Sequence, residues 1–373
     1  MTNREKKRKS IVICEYLSTG VNYVDDALSR GFTPVLVEGQ YVGSPEDVER
    51  LREIRSRINR RMKDKVRIIE EDPDYDNVLR QVKETDPALV VAGSEFGVAL
   101  AARLAEDLGL PGNPVSNIDK MTRKDAMHRA LKEHGIRSIR GKVVTSEAEA
   151  LEFMEELGKE DVVVKPMRGA ASQGVYLCHG RDEMLEAVRK HFALGKRHGI
   201  EVPEVLVQER IIGTEYVVNT VSCNGKHRVV TVGVYDKYRL SNGTIAYNYF
   251  RYVTRLEVGH SRLLRYACQV ADAIGIQYGP VHGEYMVDEE GPVLIEVNCR
   301  PMGGSLERKY SEMISGQHET DSSLESYLDP VKFHYESLKP YRLKRCGVKE
   351  RYGDRSAYPI KNDDEKSKEK FFS

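Results

Sequence analysis

Short apolar runs that alternate with longer amphipathic segments mark the first 117 residues of the chain. From Ser10 to Gly39 the order is apolar strand, glycine-containing turn, helix and second strand. A strand followed by a helix recurs from Pro87 to Pro114. Repeated strand and helix units of this kind predict an open parallel sheet covered by helices, which we assign to residues 1–117.

The pattern from residue 118 to residue 205 predicts helices and then two strands that flank a loop. Asp119–His134 is predicted to form one helix that ends at Gly135. A second amphipathic helix follows Ser146, whose hydroxyl suits the N-cap position. We assign residues 118–205 to a central helical and lid subdomain.

Strand patterns dominate after about Pro203. They predict an antiparallel sheet domain with one helix, Ser261–Gly275, over residues 206–340. Residues 341–373 are charged and poor in apolar side chains, which predicts a polar tail that is disordered or loosely attached. The predicted fold class is therefore mixed, with an α/β part followed by an α+β part.

Composition narrows the class of protein. The chain has 373 residues with 58 basic and 58 acidic side chains, and this balance gives no general attraction for nucleic acid or an anionic membrane. No apolar run approaches the roughly 20 residues that a membrane-spanning helix needs. The six cysteines are scattered without the spacing of zinc ligands. We expect a reduced, cytoplasmic enzyme built from two or three packed units.

The stretch VVVKPMRGAASQGVYLC, from Val162 to Cys178, places a loop of small residues between two apolar strands. It is not a P-loop, since Val175 and Tyr176 stand where the lysine and hydroxyl residue belong, and a following strand excludes a nucleophile elbow. Glycine and alanine let backbone N–H groups approach an anion, with the Ser172 hydroxyl and Lys165 nearby. A surface hairpin with incidental residues is the open alternative.

The stretch Val281–Gly304 alternates polar and apolar residues as the two strands of a hairpin do. One face of its second strand is predicted to carry the apolar residues Val293, Ile295 and Val297. The opposite face is predicted to carry the polar residues Glu296, Asn298 and Arg300. The hairpin therefore presents one polar face, and an exposed charged surface is the open alternative.

A three-residue turn at Glu289–Gly291 sets the predicted pairing of these two strands. It places Glu284 opposite Glu296 and His282 opposite Asn298. Two facing carboxylates repel each other, and burying them is costly unless a cation lies between them. That cation can be a lysine, but two glutamates and an asparagine form an all-oxygen set that suits Mg²⁺ together with phosphate and water.

Four ordered motifs carry a resemblance to a known family: KDAM, VVVKP with GAASQGV, VQERIIGTEYVV, and GEYM with LIEVNCR. Together they resemble the ATP-grasp superfamily, and within it the carboxylate–amine ligases that include L-amino-acid ligases. The resemblance covers Ile11 to Pro330. It implies an ATP-grasp fold with an N-terminal open parallel sheet domain, a small lid subdomain and a C-terminal antiparallel sheet domain.

The resemblance implies a site for ATP. Lys124 and Lys165 resemble the two lysines that bind its phosphates, and Lys120 is a near neighbour that can be confused with Lys124. The lid over the triphosphate is matched by Gly169, Ser172 and Gly174. The hinge at the adenine and ribose is matched by Glu209, Ile211 and the ribose acid Glu215.

The resemblance also implies a metal site and a reaction centre. The ligands of Mg²⁺ or Mn²⁺ are matched by Glu284, Glu296 and Asn298. Arg300 matches the arginine that steadies the transferred phosphate, and His282 resembles the histidine of an HxE motif. A merely structural hydrogen bond from His282 to Asn298 is the open alternative. The candidate catalytic residues are Arg300, Lys165 and His282.

The implied activity is ATP-dependent ligation of a small carboxylate to an amine, both expected to be amino acids, through an acyl phosphate. No nucleic acid or membrane partner is expected, and a homodimer is compatible with the resemblance. The alternative enzyme is an ATP-grasp carboxylase or a ligase with another nucleophile, and bicarbonate dependence identifies the carboxylase. A non-catalytic ATP-binding protein is the other alternative, marked by tight binding of ATP without phosphate release.

Two further stretches are candidates for substrate contacts. Tyr235–Val253 interleaves tyrosines with Lys237, Arg239 and Arg251, and by analogy with the family it lines the pocket for the carboxylate substrate. A half-exposed pair of strands is the open alternative there. Glu95 lies in GSEFG, between a strand and a helix of the parallel sheet, where ligand-facing loops occur.

Overall fold

The computed structural model describes residues 8–41, 45–169, 174–197, 202–239, 245–304, 318–339, 341 and 349–351. Ser172 and most of the predicted polar tail lie outside these residues. Among the described segments, no helix combines the length and the apolar character needed to cross a bilayer.

The first unit is a four-stranded parallel sheet, as the sequence predicted, with strands in the order β3-β2-β1-β4. Its strands are β1 (Ser10–Cys14), β2 (Thr33–Val37), β3 (Arg67–Ile69) and β4 (Pro87–Ala92). Its helices are α1 (Asn22–Ser29), α2 (Pro45–Met62), α3 (Tyr75–Lys83) and α4 (Val98–Asp107). Val12 belongs to one apolar cluster and Ile13 to another, so both faces of β1 are covered, which is why this strand reads as a continuous apolar run.

The predicted single helix from Asp119 to His134 is wrong, because the chain breaks it at Arg123. Two helices result, α5 (Ile118–Thr122) and α6 (Lys124–Glu133), and Arg123 has extended backbone angles between them. The backbone N–H of Lys124 donates to the carbonyl of Met167 at 3.0 Å, a bond that a continuous helix would direct along its own axis. The break makes Lys124 the first residue of α6.

The central unit is a four-stranded antiparallel sheet in the order β5-β8-β6-β7. Its strands are β5 (Gly141–Val144), β6 (Asp161–Lys165), β7 (Tyr176–His179) and β8 (Val205–Glu209), and its helices are α7 (Glu147–Leu157) and α8 (Gly180–Arg197). The predicted N-cap of α7 is confirmed, since the Ser146 side chain accepts a hydrogen bond from the N–H of Glu149. The strand, loop and strand predicted around GAASQG correspond to β6 and β7.

The third unit is a six-stranded sheet in the order β13-β12-β9-β10-β11-β14. Its strands are β9 (Thr214–Cys223), β10 (Lys226–Arg239), β11 (Ile245–Tyr252), β12 (Gly279–Asp288), β13 (Gly291–Asn298) and β14 (Lys349–Arg351). Its helices are α9 (His260–Ile274), α10 (Glu319–Leu328) and α11 (Pro330–Ser337). All pairings in it are antiparallel, as the sequence predicted.

Sheet pairing and core packing cross the predicted domain boundaries, which themselves stay predictions. β8 begins at Val205, the last residue of the predicted central unit, and pairs with β5 and β6. Met127 and Leu131 of α6 pack in the same core cluster as Tyr266 of α9. The expectation of a loosely attached end is wrong for residues 341 and 349–351, because the Tyr341 hydroxyl bonds the backbone of β10 and β14 pairs with β11.

The β12–β13 hairpin has the predicted pairing. Glu284 lies opposite Glu296, and His282 lies opposite Asn298. The turn, however, is one residue shorter than predicted, because Asp288 already pairs with Gly291. A bulge in β13 restores the register between this turn and the carboxylate pair.

The bulge falls at Ile295 and changes the face on which that side chain lies. Tyr285 pairs with Leu294 and the preceding Glu284 pairs with Glu296, so Ile295 is the extra residue. The predicted common face of Val293, Ile295 and Val297 is therefore wrong. Val297 packs in the core beneath the sheet, whereas Ile295 joins Glu296 on the wall of a large cavity.

Candidate active site

A cavity of about 480 Å³ lies between the central sheet and the six-stranded sheet. Alternation along β6 explains one wall, because Val162 and Val164 pack in the core of the central unit while Val163 and Lys165 face the cavity. Eight of the predicted site residues line it: Lys124, Lys165, Gly169, Glu209, Ile211, Glu215, Glu284 and Glu296. The structure thus brings residues from four separate motifs to one space.

Lys124 reaches the carboxylate pair from the start of α6. Its Nζ lies 2.7 Å from Oε2 of Glu296 and donates to the carbonyl of Gly169 at 3.3 Å. Lys120 lies in α5, before the break in the helix, and is not part of the cavity wall. Of Lys120 and Lys124, it is therefore Lys124 that lines the cavity.

Lys165 ends β6 and enters the same space with only 4% of its surface exposed. Burial and the neighbouring Lys124 together lower the pKa of its ammonium group to about 8, although Glu296 opposes the change. A bound anion stabilises the charged form of such an ammonium group, because it offsets both the cost of burial and the repulsion from Lys124. The two lysines therefore form a candidate anion-binding site on one side of the cavity.

Lys237 of β10 lies in the tyrosine-rich stretch expected at the substrate pocket, but its contact with the carboxylates was not predicted. Its Nζ bonds the carboxylate of Glu215 and lies 3.8 Å from Oε2 of Glu284. The ring centroids of Tyr235 and Tyr247 lie 4.7 and 4.4 Å from the same nitrogen. The tyrosine-rich stretch indicated this part of the site, but which of its side chains faces the carboxylates depends on the register of β10 against β9, which shifts at Val230.

The two buried carboxylates beside Lys237, Glu215 and Glu284, have pKa values shifted in opposite directions. Burial raises the pKa of Glu215 to about 7; Lys237 opposes this, and the negative charge of Glu284 adds to it. Burial also disfavours ionised Glu284, but Lys237, His282 and Arg300 together hold its pKa below the usual range. Glu284 is thus ionised at neutral pH, and these charges raise the pKa of Lys237.

The second carboxylate of the hairpin is ionised for a similar reason. Burial acts against the charge of Glu296, yet Lys124 and Lys165 hold its pKa below the usual range despite the nearby Glu284. The side-chain amide of Asn298 donates to Oε1 of Glu296 at 3.3 Å. The lysine that the sequence offered as an alternative cation is therefore present, as Lys124 on Glu296 and as Lys237 beside Glu284.

His282 and Asn298 are buried and are not among the residues that line the cavity. His282 Nε2 lies 3.3 Å from Oε1 of Glu284, and its Nδ1 lies 2.8 Å from Oδ1 of Asn219. The polar side-chain partners of His282 in the structure are thus Glu284 and Asn219 rather than the Asn298 of the open alternative.

Arg300 lies near the parallel sheet, outside the set of residues that line the large cavity. Its Nε is 3.8 Å from Oε2 of Glu95, in the loop after β4. Burial raises the pKa of Glu95 to about 7 although Arg300 opposes the change. The predicted ligand-facing loop and the predicted phosphate arginine therefore meet across two units of the fold.

Two other predicted residues, Glu209 and Gly174, have hydrogen-bond contacts of their own. The Glu209 carboxylate accepts from the N–H of Arg140 at 2.9 Å and lies 2.8 Å from Lys159 Nζ, so its side chain braces the hinge strand. The Gly174 carbonyl is 2.7 Å from Nε2 of His191, and its φ of +68° suits glycine. Ser172 lies outside the described residues, so its predicted role stays untested.

Comparison with known proteins identifies the family. A family model described as an ATP-grasp domain matches residues 159–308. The chain therefore contains an ATP-grasp domain. The matched residues include both strands of the lid hairpin, the hinge strand β8 and the two carboxylates of the β12–β13 hairpin, so the family resemblance predicted from the motifs is confirmed.

Relatives of the chain include dapdiamide A synthase from Enterobacter agglomerans, which is 30% identical over 278 residues. That alignment covers 74% of this chain and 65% of the relative, so the chain spans just under two thirds of the relative's length.

Solved structures confirm the predicted ATP-grasp fold. The L-amino acid ligase from Bacillus licheniformis has a TM-score of 0.65 at 20% identity, with 90% of this chain and 78% of that chain covered. The biotin carboxylase domain of the Hydrogenobacter thermophilus 2-oxoglutarate carboxylase, in complex with MgADP, ADP and bicarbonate, has a TM-score of 0.63 at 16% identity. It covers 91% of this chain and 72% of its own. At these identities the likeness concerns the fold alone.

Proposed function

We propose that this protein is an ATP-dependent carboxylate–amine ligase that forms an amide bond through an acyl phosphate. The observation that carries the proposal is the convergence of Lys124 and Lys165 with the ionised pair Glu284 and Glu296 in one cavity of about 480 Å³. A polyanion bound between two lysines, with carboxylates for its counter-ion, is the arrangement that a nucleoside triphosphate needs. Similarity to dapdiamide A synthase supports a synthase that acts on small molecules.

The nucleotide would lie along the cavity from the hinge to the lysines. Ile211 and the backbone after β8 offer an apolar and hydrogen-bonding edge for adenine, and Glu215, which lines the same cavity, is the proposed acceptor for ribose hydroxyls. Lys124 and Lys165 face the phosphates. Gly169 begins the loop that would close over them, and exclusion of water by a lid suits an intermediate that hydrolyses.

The residues present fit Mg²⁺ or Mn²⁺ as the counter-ion of the phosphates. Glu284, Glu296 and Asn298 supply two ionised carboxylates and one amide oxygen, the hard donors that Mg²⁺ prefers. Among the described residues, three or more His, Cys, Asp or Glu side chains do not converge as a metal cluster, so phosphate oxygens and water would complete the shell. When bound, the ion would neutralise charge on the transferred phosphate.

The chain's own residues then account for the chemistry. The substrate carboxylate attacks the γ-phosphorus and displaces ADP, and the amine attacks the resulting acyl phosphate, loses a proton and releases inorganic phosphate. Lys124 and Lys165 stabilise the negative charge of the phosphates, and the proposed role of Arg300 is to hold the acyl phosphate. Positioning and charge account for this reaction without a covalent nucleophile on the protein.

Amino acids are the proposed substrates. Glu95, with its raised pKa and its position beside Arg300, and the wall formed by Tyr235 and Lys237 are the proposed contacts to them. The second candidate function is carboxylation, which the likeness to a biotin carboxylase domain favours, since that fold match is nearly as good as the match to the ligase. The cytoplasmic location and a homodimer stay predictions.

Release of ADP and phosphate, measured across a panel of amino acids singly and in pairs with product mass spectrometry, tests the proposal. We expect release that needs a carboxylate and an amine together, with a conjugate lighter by one water than its two parents. Release that depends on bicarbonate instead would establish the carboxylase. Tight binding of ATP with no phosphate release under any condition would contradict both enzymes.

The affinity for ATP is expected to depend on pH through Lys165. Its pKa of about 8 in the free protein means that binding above that pH must take up a proton, because the phosphates favour the charged ammonium. Affinity is therefore constant below pH 8 and falls as pH rises above it, by about tenfold between pH 7 and pH 9. Calorimetric titration with a non-hydrolysable analogue checks this, and a flat profile across that range would contradict the assignment of Lys165.

A further inference from the structure

Asn219 is a buried amide in the middle of β9 that belongs to none of the sequence motifs. Only 1% of its surface is exposed, and its neighbours Val217, Val218 and Val221 are fully buried apolar residues. A side-chain amide in such surroundings is costly unless its donor and acceptor are both used. The partners of this amide therefore indicate what it does.

Strand register places Asn219 next to the carboxylate pair. β9 lies beside β12, where Asn219 pairs with His282, and His282 pairs in turn with Asn298 of β13. Two residues further along the same strands, Glu284 pairs with Glu296. A row of amide and imidazole side chains thus borders the row of carboxylates.

One arm of contacts leads from Asn219 to Glu284. Oδ1 of Asn219 is 2.8 Å from Nδ1 of His282, and Nε2 of His282 is 3.3 Å from Oε1 of Glu284. The amide thus fixes the plane of the imidazole ring, and the ring fixes one oxygen of the carboxylate. Asn219 itself does not line the cavity.

A second arm leads from Asn219 to the segment that carries Arg300. Nδ2 of Asn219 donates to Sδ of Met302 at 3.4 Å. The backbone of Met302 is held on both sides, because its N–H donates to Glu319 Oε2 at 2.6 Å and its carbonyl accepts from Thr19 Oγ1 at 2.5 Å. Asn219 is therefore the buried group that contacts both the histidine behind Glu284 and the segment after Arg300.

We propose that Asn219 is a positioning residue for the reaction, which holds Glu284 through His282 and the Arg300 segment through Met302. This inference rests on the proposed function, since Glu284 and Arg300 matter only if that cavity binds nucleotide and metal. The physical need is orientation: a carboxylate that must hold a cation loses affinity when its outer partners leave it free to rotate. An amide supplies an acceptor and a donor in one plane, which no apolar residue of the same shape can do.

The test replaces Asn219 with leucine, which has similar volume and no polar atoms. We measure binding of Mn²⁺ by electron paramagnetic resonance in the presence of a non-hydrolysable ATP analogue, and kcat and KM for ATP separately. The expected loss in Mn²⁺ affinity is about 10- to 100-fold, with kcat reduced and KM for ATP changed by less than about threefold. Thr220→Val is the matched control, because Thr220 is the adjacent, equally buried residue of β9 and should leave every value unchanged.

A double-mutant cycle separates positioning from a general effect on the fold. If Asn219 acts on Glu284 through His282, then Asn219→Leu should change Mn²⁺ affinity by less than about threefold in a His282→Gln background. Fully additive losses would overturn the proposal, and so would wild-type Mn²⁺ affinity in Asn219→Leu.

A second variant covers the case in which the leucine protein does not fold. Met302→Leu keeps the size of the side chain and leaves the contact of Asn219 with His282 in place, but it removes the sulfur that accepts from Asn219, so it should retain Mn²⁺ affinity within about threefold while kcat falls. A loss of Mn²⁺ affinity of about tenfold or more in Met302→Leu would overturn the assignment of Glu284 to the arm through His282. Because Mn²⁺ binding does not require turnover, a protein that turns over no substrate would contradict the proposed function and still leave this inference measurable.

Discussion

Replacing Glu296 with alanine is expected to abolish turnover, with a loss in kcat of at least about 10³-fold. Glu296 is ionised, faces Glu284 across the hairpin and holds the ammonium of Lys124 at 2.7 Å. Its loss removes a proposed metal ligand and at the same time frees Lys124 beside Lys165, where the two positive charges repel. Initial rates of ADP release, measured with saturating substrates, check the result.

Binding measurements should show that the nucleotide site survives this change. The lysines remain, and removal of a negative charge does not weaken attraction for phosphates, so affinity for an ATP analogue without metal should stay within about tenfold of wild type. Glu296→Gln, which keeps the shape of the side chain, should lose turnover as fully as Glu296→Ala. Glu289→Ala, in the exposed turn of the same hairpin, is the matched control and should retain full activity. Wild-type turnover in either Glu296 variant would contradict the site.

The carboxylate pairing of this hairpin was predictable from sequence, although the route to it contained two errors that cancel. The predicted turn was one residue too long, and the bulge at Ile295 was not predicted. Alternation fixes which residues can face each other only when both strands are regular, and one extra residue moves every side chain beyond it to the opposite face. The pairing survived because the bulge lies between the turn and Glu296.

The sequence could not predict which lysines contact the buried carboxylates, for a related reason. Facing carboxylates demanded a positive partner, but the identity of that partner depends on contacts between distant parts of the chain. Lys124 reaches Glu296 because α5 and α6 are separated at Arg123, where the next N–H bonds the carbonyl of Met167. Lys237 reaches Glu215 beyond the register shift between β10 and β9 that follows Val229. Local sequence propensity predicts neither the contact of Lys124 nor that of Lys237. The N-cap at Ser146 depends on local sequence alone and was predicted correctly.

Lys165→Met is expected to lower kcat/KM for ATP by about 10²- to 10³-fold, the usual cost of removing one charged group that stabilises a transferring phosphate. The side chain lies at the end of β6 and faces the same cavity as Lys124 and Glu296. Methionine has nearly the same length and removes the charge, so the packing of the side chain at the end of β6 should persist. Lys226→Met, an exposed lysine at the start of β10, is the matched control and should retain wild-type kinetics.

The same substitution should stabilise the free protein, which distinguishes an electrostatic role from a packing role. The fall in the pKa of Lys165 from 10.5 to about 8 means that the folded environment disfavours the ammonium, by about 3 kcal/mol at 1.36 kcal/mol per pKa unit. This cost is fully present below pH 8, where the lysine is charged in both the folded and unfolded states, and it disappears as pH rises toward 10.5. Thermal unfolding of Lys165→Met should therefore occur at a higher temperature than that of wild type at pH 7, with the difference shrinking at alkaline pH. A variant that loses activity but is destabilised at pH 7 would show that Lys165 supports the fold, whereas lost activity with gained stability means that the protein tolerates a buried, repelled charge because the phosphates of its ligand require it.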